Sequence, residues 1–149
     1  MKFTKLIMFL LMVTLPFVSC NDNCSDVDAP DSASLFISCI DEVSGENVFE
    51  NETFSGDQIV VTDEDDELVS FSFIETKNFI HITFPAGLVE GKIITVKLEN
   101  TETSDVREIE IHLDVVSQEE ECYTLYKVDN VVFPNNESEL IDGIYEVKI

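Results

Sequence analysis

The sequence predicts an all-β protein: an antiparallel, immunoglobulin-like β-sandwich of seven to eight strands that follows a signal peptide and a tether. Three observations carry that expectation. From Ser34 onward apolar residues recur with a period of two, the spacing that puts alternate side chains on one face of a sheet. Clusters of Gly, Pro, Asn, Asp and Ser separate the runs at short intervals. No segment sustains a helical period. Short strands at this spacing suit a sandwich, with a small barrel as the alternative.

The strands are read in order as follows. "LFISCI" (Leu35 to Ile40) opens the domain, and Ser44-Gly45 turns the chain out of it. "QIVVT" is followed by the acidic run "DEDDE", Asp63 to Glu67, as a hairpin turn into "ELVSFSFIE", where Val69, Phe71 and Phe73 share a face. "NFIHITF" sets Ile80, Ile82 and Phe84 on one side and His81 on the other. "KIITVKLE" directs Ile94, Val96 and Leu98 inward. "REIEIHLDVV" is the clearest strand, with Ile109, Ile111, Leu113 and Val115 opposite Glu108, Glu110, His112 and Asp114. "YTLYKVDNVVF" and the terminal "IYEVKI" complete the set. The phenylalanines of the domain read as core.

Ahead of the domain, residues 1–19 read as a signal peptide. Lys2 and Lys5 precede an apolar stretch, Leu6 to Leu15, that is short of the ~20 residues a bilayer span needs. Phe17-Val18-Ser19-Cys20 resembles a bacterial lipobox, with Phe17 in place of the usual Leu. The resemblance implies cleavage before Cys20 and acylation of that residue on its sulfur and its amine, hence a membrane partner reached through lipid. Several acyl chains anchor stably, since each buried methylene contributes ~0.8 kcal/mol. Residues 20–33 lack apolar periodicity and read as a flexible acidic tether, and residues 34–149 as the sandwich.

Composition narrows the partners. The 149 residues include 31 acidic and 8 basic side chains, a formal charge of −23. Such a polyanion repels nucleic acid and anionic headgroups, so neither is an expected partner. Of four cysteines, Cys20 is assigned to lipid. Export permits a disulfide among the rest. Cys24 and Cys122, both in polar acidic flanks, are the favoured pair, with Cys39–Cys122 as the alternative; Cys39 sits in an apolar run where a buried thiol is ordinary.

Little in the chain suggests chemistry. The acidic run lacks the glycine and distal glutamate of a calcium loop and reads as a solvated turn. His81 and His112 are single residues on polar strand faces, and no Ser or Cys stands in a nucleophile-elbow context. Two carboxylates could still meet to hydrolyse a glycoside, yet there is no Trp and only Tyr123, Tyr126 and Tyr145 to serve as a sugar platform. No catalytic residue, metal site or cofactor is expected.

The order of motifs is similar to that of small lipoproteins of Bacteroidota, flavobacteria-like in character. A lipobox and acidic Cys-containing tether lead to "DEVSGENVFEN" (Asp41 to Asn51) and "GDQIVVTDED", and the chain closes on "ECYTLYKVDNVVF" and "GIYEVKI". The resemblance implies an immunoglobulin-like sandwich on an outer-membrane lipid anchor, surface exposure through the acidic export signal after Cys20, and O-glycosylation of Ser32 within Asp31-Ser32-Ala33. It transfers no activity. The expected function is a non-catalytic structural or adhesive domain with an envelope protein or glycan as partner. A periplasmic inhibitor or chaperone-like binder, and a carboxylate-dependent hydrolase, are the alternatives.

Overall fold

A computed structural model describes residues 32–149. Nine strands form: β1 (Ser32–Ile40), β2 (Ile59–Asp63), β3 (Phe71–Ile74), β4 (Phe79–Pro85), β5 (Val89–Asn100), β6 (Asp105–Glu119), β7 (Thr124–Val132), β8 (Ser138–Ile141) and β9 (Ile144–Lys148). They build two sheets, ordered β3-β4-β1-β9-β8 and β2-β5-β6-β7. Their inner faces meet in one core. Every inward residue read from β5 and β6 is buried there: Ile94, Val96 and Leu98 against Ile109, Ile111, Leu113 and Val115. Ile37, Ile80, Ile82 and Val147 close the core from the other sheet. Fully burying one such side chain contributes about 1.5–3 kcal/mol, which is why the alternation sets the register.

The topology is that of an immunoglobulin sandwich with a modified edge. The orders β3-β4-β1 and β2-β5-β6 match strands D-E-B and C-F-G of that fold. The place beside β1 that strand A would take belongs to β9, which runs parallel to β1 with Ile37 opposite Tyr145 and Cys39 opposite Val147. So one strand pair departs from the expected antiparallel pattern.

Three other expectations are corrected. Among the described residues there are nine strands, not seven or eight, because β8 pairs with β9 through the Asp142-Gly143 turn. Both turn residues have positive φ, 49° and 83°, as a two-residue type I′ hairpin requires. Ser32 and Ala33, read from the sequence as tether, belong to β1, since Ala33 lies opposite Phe84 and is fully buried. The acidic turn starts as a hairpin but does not remain one. Asp63 N–H donates to Glu67 O, and Val69 N–H to Val61 O. The chain then leaves the sheet of β2, and β3 joins the other sheet beside β4.

Candidate functional site

The long connection from β1 to β2 folds over one end of the sandwich. Asp41 starts it: its Oδ1 accepts from the N–H groups of Val43 and Ser44, at 3.2 and 2.7 Å, and from the Ser44 hydroxyl. These bonds hold its carboxyl below the usual range. Gly45, at φ 73°, completes the turn foreseen at "SGEN". Asn47 then ties the loop down. Its Nδ2 donates to Ser38 Oγ at 3.0 Å and to the Asn78 carbonyl at 2.9 Å, while its Oδ1 accepts from Phe49 N–H at 2.8 Å. Asn100, at the end of β5, donates to the Thr53 carbonyl at 2.9 Å. The loop is thereby bonded to β1, to the β3–β4 turn and to β5.

Anchored in this way, the loop borders a groove of about 760 Å³, within the size range of ligand sites. Its floor is aromatic. Phe49 and Phe54 are nearly buried, and Phe49 packs against Phe73 of β3 with centroids 4.7 Å apart. Gly56 approaches Phe73 so closely that a Cβ there would lie 2.4 Å from the ring. The rim carries Glu52, Asp57, Glu75 and Glu102. The Ser55 hydroxyl donates to Asp57 Oδ1 at 2.6 Å and lowers the pKa of that carboxyl. The amide oxygens of Gln58 and Asn100 accept from loop N–H groups. A second hollow, lined by Glu46, Glu50, Lys77 and Glu146 among others, adjoins the groove at Asn78.

The residues singled out from the sequence lie elsewhere. Cys20 and Cys24 are outside the described residues. Ser32 is half-buried at the start of β1, opposite Pro85. Cys122, between β6 and β7, is disulfide-bonded. Cys39 is a buried free thiol whose pKa burial pushes up to about 12, so the Cys39–Cys122 alternative is overturned. Ser32 and Cys122 share one end of the sandwich with the acidic turn. The groove lies at the other, roughly 26 Å away along the nine residues of β1.

The histidines do not meet. His112 Nε2 bonds Glu110 Oε1 at 2.7 Å on the outer face of β6. His81 stacks on Phe36 at 4.5 Å, and its Nε2 lies 3.0 Å from Ser34 Oγ. A Ser–His contact is half of a nucleophile and base pair, but no carboxylate bonds this ring among the described residues, and it does not line the groove. In the acidic run, Asp63 Oδ1 accepts from Asp65 and Glu67 N–H, and Oδ2 pairs with Lys92 Nζ at 3.1 Å. Among the described residues no group of three or more His, Cys, Asp or Glu side chains has an arrangement that could hold a metal ion.

Sequence reading passed over the groove. Its signal in the sequence is a pair of phenylalanines, Phe49 and Phe54, in a mostly polar loop with no strand period. Among the described residues no helix is long and apolar enough to cross a membrane. Comparisons with protein families, with curated proteins and with solved structures return no match to this chain.

Proposed function

We propose that this chain is a lipid-anchored, non-catalytic binding domain of the cell envelope, in the manner of the Bacteroidota lipoproteins its motifs resemble, and that the groove is its binding site. One observation supports this reading above others. The groove is at the opposite end of the sandwich from Ser32, where the chain enters from the tether and Cys20. A domain held by that tether presents the groove outward, on a rigid scaffold and lined by a bonded loop. A partner would meet a concave surface with an aromatic floor, the kind of place where binding energy concentrates.

The anchor and the groove are tested separately. Expressed with its own leader in a diderm bacterium, the full chain should take up labelled palmitate and fractionate with the outer membrane. Cys20→Ala should abolish both. An unlabelled, soluble wild-type chain would remove the envelope role. For the groove, a photo-crosslinking residue at Glu102 should capture envelope material that the same residue at Glu64 does not. Equal capture from both positions would remove the groove as the site.

A further inference from the structure

Building on the reading of the groove as a binding site, we infer that its ligand is a cationic peptide segment, with a lysine or arginine stem lying on the Phe49–Phe73 floor and its charged head among the rim carboxylates. Three observations lead there. First, Glu52, Asp57, Glu75 and Glu102 surround one cavity, and none of them enters an ion pair among the described residues. The basic side chains are engaged elsewhere: Lys92 with Asp63, Lys97 with Glu99, Arg107 with Asp105, and Lys148 with Glu137. Lys77 belongs to the neighbouring hollow. The lining of the groove therefore holds four carboxylates and no basic side chain, a net negative field that concentrates counter-charges.

Second, the hydrogen-bonding groups left to a ligand are mainly acceptors. An ionised carboxylate donates nothing. Ser55 helps to keep Asp57 ionised, and Asn100 already donates to the Thr53 carbonyl, so the amide nitrogens of Gln58 and Asn78 are the side-chain donors set against four carboxylates. A neutral glycan, whose hydroxyls both donate and accept, would find few donors here, whereas an ammonium or guanidinium group only donates. Third, the floor is apolar. A lysine or arginine covers apolar surface with its methylene stem and keeps its head at the wet rim. Phe49 and Phe73 beneath a ring of acids match both halves of that side chain.

The test uses the full chain and fluorescent glycine–arginine and glycine–serine repeat peptides, read by anisotropy. The arginine peptide should bind and the serine peptide should not. Glu75→Gln combined with Glu102→Gln should weaken binding on the order of tenfold, in line with loss of charge-assisted hydrogen bonds. Glu64→Gln with Glu67→Gln removes the same charge at the far end and should leave the affinity within about twofold. Raising ionic strength from about 0.1 to about 1 M shortens the Debye length from about 10 to about 3 Å and should weaken the complex. Equal losses from both double variants would mean diffuse attraction to a polyanion, and the inference would fall. If a neutral oligosaccharide binds in a way that Phe73→Leu abolishes while the arginine peptide does not bind, the ligand class is wrong and the groove remains a site. If neither binds, the cationic-peptide inference falls, and the crosslinking comparison of Glu102 with Glu64 decides the groove by itself.

Discussion

The turn at Asp63 and the rim of the groove are both acidic, and they use their carboxylates differently. At the end shared with Ser32 and Cys122, the run Asp63 to Glu67 folds on itself. Asp63 accepts two backbone N–H groups and pairs with Lys92, so its charge serves the turn. At the groove end, Asp41 braces the start of the loop in the same way, but the part that borders the cavity is tied down by neutral groups, the amides of Asn47, Gln58 and Asn100. Glu52, Glu75 and Glu102 are left to surround the cavity without cationic partners among the described residues. A charge count treats the two ends alike. Hydrogen bonding separates Asp63, whose carboxylate is internal scaffolding for its turn, from the rim acids Glu52, Glu75 and Glu102, which are left available.

The comparison assumes one cooperative body with two different ends, and the largest effect tests that. Ile111 is fully buried in the shared core. Ile111→Ala should lower stability by about 2–5 kcal/mol through lost transfer energy and a cavity. Both ends should unfold in the same urea transition, followed by hydrogen exchange at Val69 and at Phe54. Two separate transitions would mean that the groove loop is not a true part of the sandwich.

A smaller effect should be confined to the groove end. Asn47→Ala leaves the Asn78 carbonyl and the Phe49 N–H without their partner. Groups stranded in this way cost about 1–3 kcal/mol where they are buried. The loss should appear as faster exchange in the β1–β2 connection, with exchange around Asp63 unchanged. Gly56→Ala should act locally as well, since its Cβ would overlap the Phe73 ring and displace it. Overpacking of this kind costs about 1–3 kcal/mol. Peptide affinity should fall with it, because the same ring forms the floor.

How much of this was legible in the sequence depends on what each residue contacts. The strands β5 and β6 announce themselves because every second side chain enters the core. β8 does not, because all four of its residues are exposed and it has no apolar alternation to reveal. The acidic run reads correctly as a turn. Its local signal carries no trace of the change of sheet between Val69 and Phe71, which is decided by where β4 waits to pair. The sandwich class follows from alternation and turn spacing, whereas the strand order does not, and the parallel seat of β9 beside β1 joins residues more than a hundred positions apart. The groove was hidden for the same reason. Asn47 reaches Asn78, 31 residues away, and Asn100 reaches Thr53, 47 residues away, and no short motif encodes either bond.

The smallest effect concerns protonation. Lys92 first, and then the N–H groups of Glu67 and Asp65, lower the pKa of Asp63 below the ordinary carboxylate value. A carboxyl depressed in the folded state contributes stability that is present above its unfolded pKa, about 3.9, and is lost as pH falls through the folded value. Asp63 should therefore add to the acid sensitivity of the domain below about pH 4. Asp41, Asp57, Asp114 and Glu137 are depressed too and share that slope. Asp63→Asn can still accept the backbone N–H groups but gives up the Lys92 pair. The shift in urea midpoint between pH 7 and pH 3 should be smaller in this variant than in the wild type. Glu75→Gln at the groove end, where the carboxylate has no cation, should leave the midpoint at pH 7 unmoved. An unchanged pH dependence in Asp63→Asn would show that the turn holds without its charge, and the contrast between the two ends would then rest on the groove alone.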